Sequence, residues 1–142
     1  MYTSILLPID LGHSSSWEQA APAAVAQAQQ FGAKIHVAVV VPDFGMPVVG
    51  SFFPADFEKQ AVAASGEQLD KLVADIVPKE LLAGTHVLQG TIYKEIISLA
   101  DSEGCDLIVM SSHRPEMKDY LLGPNAARVV RHANQSVFVV RS

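Results

Sequence analysis

YTSILLPID, at residues 2–10, is a short and almost continuously apolar stretch of the chain. A strand with one face in water alternates apolar and polar residues, whereas a continuous apolar run is typical of a strand buried on both faces of a parallel sheet. Similar stretches occur at residues 34–41 (KIHVAVVV), 106–111 (DLIVMS) and 136–141 (SVFVVR), and a weaker one at residues 85–89. The sequence therefore predicts five strands.

The segments between these strands have helical periodicity. Ser15 and Glu18 match a Ser-x-x-Glu capping box, which predicts a first helix that starts there and ends before Gly32, with Pro22 as a kink. The other predicted helices cover residues 56–77, the segment from the cap residue Thr91 to Ala100, and the segment from Gly123 to Asn134, with Ala127, Val129 and Val130 as apolar positions of the last. Alternation of strands and helices predicts one α/β domain over residues 1–142, in which helices cover both faces of a parallel sheet.

The composition excludes several classes of protein. The chain has 142 residues, of which 49% are hydrophobic, and its formal net charge is −5. An acidic chain is a poor non-specific binder of nucleic acid, and a single cysteine cannot form an internal disulfide framework. No apolar run approaches the roughly 20 residues of a membrane span. We expect a cytoplasmic protein that interacts with neither nucleic acid nor membrane.

The one long irregular stretch is PDFGMPVVGSFFP, residues 42–54. A loop of this length in so small a domain is commonly a lid or a contact surface. An equally good interpretation is that Phe44, Phe52 and Phe53 pack over the edge of the sheet.

Candidate binding residues follow from the predicted parallel sheet, because ligands bind at the carboxyl ends of its strands, near the point where the strand order reverses. Asp10 ends the first strand, where its carboxylate can hold a metal ion that bridges phosphates, accept a ribose hydroxyl, or simply cap the loop. Gly123 opens the last helix, whose N-terminal N–H groups suit a phosphate. His113 and Asp10 form the one candidate acid–base pair, and no Walker-type lysine follows a glycine-rich loop.

Three other residues with reactive side chains are expected to have structural roles. His36 and His86 lie within predicted strands, where a hydrogen-bonded histidine is a commoner finding than a ligand, and the spacing of the five histidines and Cys105 does not resemble a zinc site. Cys105 directly precedes a buried strand and is expected to be a small buried hydrophobe.

The last third of the chain carries the elements SSHRP (residues 111–115) and YLLGPNAA (residues 120–127). Together with ILLPID (residues 5–10), GAKIHV (residues 32–37) and Gly90, these resemble the universal stress proteins, most closely their F/G-type branch. The resemblance covers nearly the whole chain. It implies a five-stranded parallel sheet of order 3-2-1-4-5 in a Rossmann-like three-layer α/β/α domain.

The resemblance also implies binding of ATP or another adenine nucleotide, AMP or ADP. The family pattern Gly-x-x-Gly, nine residues, Gly-Ser/Thr falls on Ser111, Arg114, Gly123 and Pro124, of which only Gly123 matches, with one residue fewer between Arg114 and Gly123. In this interpretation Arg114 would contact the phosphates in place of backbone N–H groups. The implied nucleotide-site residues are Pro8, Ile9, Asp10, Val40, Met110, Ser111, Ser112, His113, Arg114, Gly123, Pro124 and Asn125, with Asp10 holding Mg²⁺ through the phosphates.

Three functions stay open at this point. The first is a regulatory module of the stress response that binds adenine nucleotide and acts as a homo-oligomer. The second is a protein-interaction scaffold that has lost its nucleotide, as the missing glycines at Ser111 and Arg114 and the missing hydroxyl at Pro124 would explain. The third is a slow nucleotide hydrolase or a protein that phosphorylates itself.

We also expect a homodimer. Its contact would be the last strand, Val137 to Val140, because an apolar edge strand needs covering. A homotetramer would add the loop that holds Phe52 and Phe53.

Overall fold

The computed structural model of the chain describes residues 1–42, 57–112 and 123–141. Its strands are β1 (Ser4–Ile9), β2 (Lys34–Pro42), β3 (Leu82–Gly90), β4 (Leu107–Ser112) and β5 (Ser136–Arg141). Its helices are α1 (Ala20–Phe31), α2 (Phe57–Ile76), α3 (Ile92–Ser102) and α4 (Gly123–His132), with 3-10 turns at Ser14–Ser16 and Lys79–Leu81. Within those residues, no helix combines the length and the apolar character needed to cross a bilayer.

The five strands form one parallel sheet in the order β3-β2-β1-β4-β5, which confirms the predicted fold. β1 is the central strand. The chain passes from β1 to β2 on one side of it and later returns to place β4 on the other side, so the strand order reverses at β1. This is the topological switch point at which open α/β sheets form their crevice.

Alternating side chains of the strands enter two separate hydrophobic layers. Leu7 and Val37 pack with Ala24 of α1 and Leu69 of α2, whereas Leu6 packs in the opposite layer with buried residues of α3 and α4. Because both faces are covered, successive positions along β1 and β4 are buried, and the continuous apolar runs of the sequence follow from this.

The start of α1 differs from the prediction. The predicted capping box at Ser15 and Glu18 is wrong, because the helix begins at Ala20 and its N-cap residue, Gln19, makes no side-chain capping bond. Pro22 consequently lies in the first turn of α1, where a missing N–H costs no hydrogen bond inside the helix. The physical reason for predicting a kink at Pro22 therefore does not apply. The end at Gly32 is confirmed, with φ of 68°.

The apolar face of α4 also differs. Ala126 and Val129 are buried, whereas the predicted core positions Ala127 and Val130 are exposed, Val130 to 53%. Residues 126, 127, 129 and 130 are all apolar and form two overlapping stripes at helical spacing, so periodicity alone does not decide which stripe faces the sheet.

Asp106 joins the amino ends of β1 and β4. Its carboxylate accepts N–H groups of Thr3 (3.0 Å to Oδ2) and Ser4 (3.1 Å to Oδ1) and the hydroxyl of Thr3 (3.2 Å). Burial acts to raise the pKa of Asp106, but the hydrogen bonds from Ser4 and Thr3 outweigh it and hold the pKa below its ordinary value.

We expect Asp106→Ala to lower the free energy of unfolding at pH 7 by about 1–2 kcal/mol, because two N–H groups lose a charged acceptor at a partly solvated site. A lowered folded-state pKa stabilises the native state above the unfolded-state pKa of about 3.9, and this contribution is lost as the pH falls through the folded-state pKa. Urea unfolding at pH 7 and at pH 3 checks both points: the gap between variant and wild type should narrow at pH 3. The exposed Asp75→Ala in α2 is the control, and an equal loss in both variants would contradict the assignment.

Candidate functional site

The candidate site lies at the carboxyl ends of β1 and β4, on the two sides of the switch point. β1 ends at Ile9 and leads into Asp10, and β4 ends at Ser111 and Ser112. The sequence reasoning placed the site here from strand order and strand ends, and the fold brings these two ends to the same edge of the sheet.

Asp10 is a buried carboxylate, 5% exposed, at the tip of the central strand. Its Oδ1 accepts the N–H of Gly12 (2.9 Å), and its Oδ2 lies 2.9 Å from Nδ1 of His13. The loop-capping role that the sequence allowed for Asp10 is therefore present. Each carboxylate oxygen has a second lone pair, so the cap leaves Asp10 able to accept a further donor or contact a cation.

The side chain of Ser16 stabilises this turn through contacts with the backbone of Asp10 and His13. Its hydroxyl oxygen accepts the buried N–H of Asp10 at 2.8 Å and lies within hydrogen-bond distance of the carbonyl oxygens of Asp10 (3.0 Å) and His13 (2.8 Å). The side chain is 4% exposed. The run Ser14–Ser16, whose sequence predicts a helix cap, instead contributes Ser16, which fixes the backbone that presents Asp10.

Ser111 links the two sides of the site. Its hydroxyl donates to the carbonyl oxygen of Ser15 at 3.1 Å, and its side chain is 2% exposed. This bond ties the end of β4 to the turn that follows β1. At the family position of the first glycine, the chain therefore carries a side chain that secures the turn.

The side chains of the remaining described candidates are mostly buried in the hydrophobic core. Ile9 and Val40 are 2% and 5% exposed, Pro8 is buried, and Met110 is fully buried in the layer of α3 and α4. These residues can offer a ligand their backbone atoms at the strand ends, whereas their side chains serve the core.

The N-terminus of α4 supplies the second part of the site. Pro124 is exposed and Asn125 is 9% exposed, and the first turn of α4 holds no acidic residue while its last turn holds Arg131 and His132. The positive end of the helix dipole therefore has no carboxylate of its own helix beside it.

Several predicted features lie outside the described residues. They are His113, Arg114, their proposed contacts with phosphate and with Asp10, and the loop of residues 43–54 with Phe44, Phe52 and Phe53.

The expected burial of Cys105 and the expected hydrogen bonding of His36 and His86 are confirmed. Cys105 is 5% exposed, and burial raises the pKa of its thiol despite a hydrogen bond from Ser4. His36 and His86 form a hydrogen-bonded pair inside the sheet, with Nδ1 of His36 2.9 Å from Nε2 of His86.

Sequence reasoning missed His13 as the partner of Asp10 and paired Asp10 with His113 instead. Spacing offers the missed signal, because an Asp-x-x-His tetrapeptide after a strand places both side chains on one side of a tight turn. Here the turn is closed by the N–H of His13, which donates to the carbonyl oxygen of Asp10 at 3.0 Å.

The donor set at the site is compatible with one kind of metal. Across residues 1–42, 57–112 and 123–141, no three side chains of His, Cys, Asp or Glu converge as a metal cage. Mg²⁺ does not need one, because it is commonly held by one or two carboxylates together with phosphate oxygens and water. Asp10 fits that role.

An open groove lies away from this site, between α3 and α4. Its volume is about 600 Å³, and its lining residues include Tyr93, Ile97, Asp101 and His132. No strand end contributes to its lining, so it is a separate feature of the helical face.

Comparison with known proteins confirms the family resemblance. The universal stress protein family matches residues 1–141. Universal stress protein G of Shigella flexneri is 33% identical over 144 residues, which cover 99% of this chain and 100% of the relative.

Solved structures of the same family have the same fold. Universal stress protein UspA from Lactobacillus plantarum superposes with a TM-score of 0.74 at 25% identity, covering 99% of this chain and 98% of the other. A universal stress protein from Archaeoglobus fulgidus, solved in complex with dAMP, superposes with a TM-score of 0.67 at 20% identity, covering 97% of each chain.

We expect Ser16→Ala to lower the free energy of unfolding by about 1–3 kcal/mol, because it leaves the buried N–H of Asp10 without an acceptor. Ser14→Ala, an exposed serine of the same turn, is the matched control and should change stability by less than about 0.5 kcal/mol. Urea unfolding of both variants at pH 7 measures the difference. Equal stabilities of the two variants would show that Ser16 does not hold the turn.

Proposed function

The chain belongs to the universal stress protein family, and from this membership and the geometry at Asp10 we propose that it is a stress-response module that binds an adenine nucleotide at the carboxyl ends of β1 and β4. The observation that carries the proposal is the buried, pre-positioned carboxylate of Asp10 at the switch point of the sheet. The complex of the Archaeoglobus fulgidus protein with dAMP, on the same fold, supports the choice of ligand.

The phosphate end of the nucleotide is assigned to the N-terminus of α4. Backbone N–H groups in the first turn of a helix lack partners within the helix, and the dipole there favours an anion. The absence of an acidic residue from the first turn of α4 supports this assignment. Gly123 is the one family glycine that this chain retains, and it is the first residue of α4.

The nucleoside end is assigned to β1 and β2. Pro8, Ile9 and Val40 bury their side chains, so an adenine placed there would be recognised by backbone N–H and C=O groups near the strand ends. Asp10 would accept a ribose hydroxyl or contact Mg²⁺ bound to the phosphates. Mg²⁺ would neutralise phosphate charge in a chain whose own net charge is −5.

A charge placed at the start of α4 tests the phosphate assignment. Pro124→Glu should leave the fold intact, because a carboxylate favours a helix N-terminus, yet it should repel phosphate and weaken the affinity for ATP by about tenfold or more. Isothermal titration calorimetry with ATP, ADP and AMP, each with Mg²⁺, measures the affinities. Thermal unfolding gives a second readout, since a ligand at one hundred times its Kd should add about 2.7 kcal/mol of stability.

Ala127→Glu is the matched control, because it adds the same charge at an exposed position about one turn further along α4. It should leave the affinity within about threefold of wild type. Folded wild-type protein that neither binds nor is stabilised by millimolar nucleotide would refute nucleotide binding and favour the interaction scaffold. Equal affinities of the two variants would refute the assignment of the phosphates to α4.

We further propose that the chain forms a homodimer through β5. This strand is at the edge of the sheet, and Phe138 on it is 39% exposed. Met1, Val130 and Phe138 are the large hydrophobic residues found exposed in the described part of the chain. Val130 is on α4 and Phe138 is on β5, the last two elements of the chain. A second copy that pairs along β5 would cover the unpaired edge and the exposed ring of Phe138.

We expect Phe138→Asp to convert the dimer to monomer, because a carboxylate would then be buried against apolar surface of the partner. Ala83→Asp is the control, since it adds the same charge to an exposed position on β3, the opposite edge strand. Sedimentation velocity over a range of concentrations distinguishes the species. A wild type that stays monomeric throughout, or a Phe138→Asp variant that stays dimeric, would contradict an interface at β5.

A further inference from the structure

Two histidines that the proposed function does not use lie side by side on neighbouring strands. His36 is on β2 and His86 is on β3, and Nδ1 of the first is 2.9 Å from Nε2 of the second. Their rings are 5.1 Å apart between centroids and inclined at 41°. Both side chains are partly exposed, so the pair is accessible from solvent.

The pair is distinct from the proposed nucleotide site. His36 is paired in the sheet with Leu6 of β1, which lies four residues before Asp10. At about 3.3 Å per residue, His36 lies on the order of 13 Å along the strands from the level of Asp10, and His86, which is level with Ala38 and Pro8, lies about 7 Å from it.

The spacing of the two nitrogens suits a shared metal ion as well as a shared proton. A transition metal binds each imidazole nitrogen at about 2.0–2.1 Å, so two neighbouring ligands at about 90–110° have nitrogens roughly 2.9–3.4 Å apart. The observed separation is at the lower end of that range. A modest rotation of the two rings would direct both lone pairs to one point, with the nitrogens staying at nearly the same separation.

A glycine lies beside the two nitrogens. A Cβ atom at Gly84, on β3, would lie 3.5 Å from Nε2 of His86 and 3.8 Å from Nδ1 of His36. The backbone of Gly84 has no positive φ, so its conformation does not itself require glycine. A side chain at this position would therefore be in van der Waals contact with the atoms that would bind the metal.

The surroundings of His36 favour its neutral form, which binds metal. Burial lowers the pKa of His36, the neighbouring His86 lowers it further, and Glu103 opposes these effects. His36 is thus neutral at pH 7, with a lone pair available. Glu103 follows the last residue of α3, so a carboxylate and the negative end of a helix dipole both favour a cation near His36.

We propose that His36 and His86 form a two-histidine site for a divalent transition-metal ion that accepts imidazole ligands, such as Ni²⁺, Zn²⁺ or Cu²⁺. Within the described part of the chain no third His, Cys, Asp or Glu joins them as a ligand, so water completes the coordination. For both facing nitrogens to bind metal, the ring that donates the hydrogen bond must carry its proton on its other ring nitrogen instead, so the proton moves there through solvent and both rings stay uncharged. The site is independent of nucleotide binding and of Mg²⁺, which prefers oxygen ligands.

Isothermal titration calorimetry with Ni²⁺ as the probe tests the site on the intact protein at pH 7.5. We expect one Ni²⁺ per chain, at a site that Mg²⁺ does not occupy. His36→Ala and His86→Ala should each weaken the affinity by about tenfold or more, and Glu103→Gln should weaken it by less. His132→Ala, which removes a histidine of α4, is the control for adventitious binding and should leave the affinity unchanged.

Gly84→Ala keeps the test decisive if a histidine variant fails to fold. It retains both ligands and an extended backbone while placing a methyl group against the two nitrogens, so it should weaken Ni²⁺ binding with little loss of stability. Far-ultraviolet circular dichroism verifies the fold of each variant. The absence of Ni²⁺ binding to wild type would overturn the proposal. So would an affinity for Ni²⁺ equal to that of wild type in the His36, His86 and Gly84 variants.

Discussion

Burial of the sheet on both faces is the constraint from which the rest of this structure follows. In β1 and β4, side chains that point to either face enter a hydrophobic layer, so a polar side chain inside these strands would lose its water without a partner. Polar residues are therefore confined to the strand ends, where Asp10 and Ser111 lie. The proposed nucleotide site is at the carboxyl edge of the sheet because the interior of β1 and β4 admits only apolar side chains.

The same constraint explains how much of the fold could be predicted from sequence. Runs such as residues 106–111 are almost continuously apolar, and four of them with a weaker fifth at residues 85–89, separated by helical periods, leave few architectures other than a covered parallel sheet. The strand order came from a family resemblance, because apolar strands of similar length carry no mark of their neighbours. Asp10 and Gly123 were found because strand ends and helix starts are visible in a sequence.

What sequence reasoning missed depends on tertiary contacts. The capping box at Ser15 and Glu18 is a valid local signal, but the hydroxyl of Ser16 bonds to the Asp10 turn, and the backbone carbonyl of Ser15 accepts the hydroxyl of Ser111 at the end of β4. The apolar residues of α4 form two stripes, and only contact with the sheet selects the one that contains Ala126 and Val129. His13 is a different case, because the turn that brings it back to Asp10 is local and its Asp-x-x-His spacing is visible in the sequence.

The edge strand β3 is not buried on both faces as β1 and β4 are, and this difference distinguishes the two proposed sites. It has a neighbour on one side only and is partly exposed along most of its length, so it accepts His86 and the unshielded Gly84 where β1 accepts only apolar residues. Imidazole lone pairs can bind a cation there, whereas N–H groups at a helix N-terminus attract an anion at the carboxyl end. The partly exposed strand β3 therefore contributes to a proposed cation site, whereas the buried strand β1 contributes to a proposed anion site only at its carboxyl end.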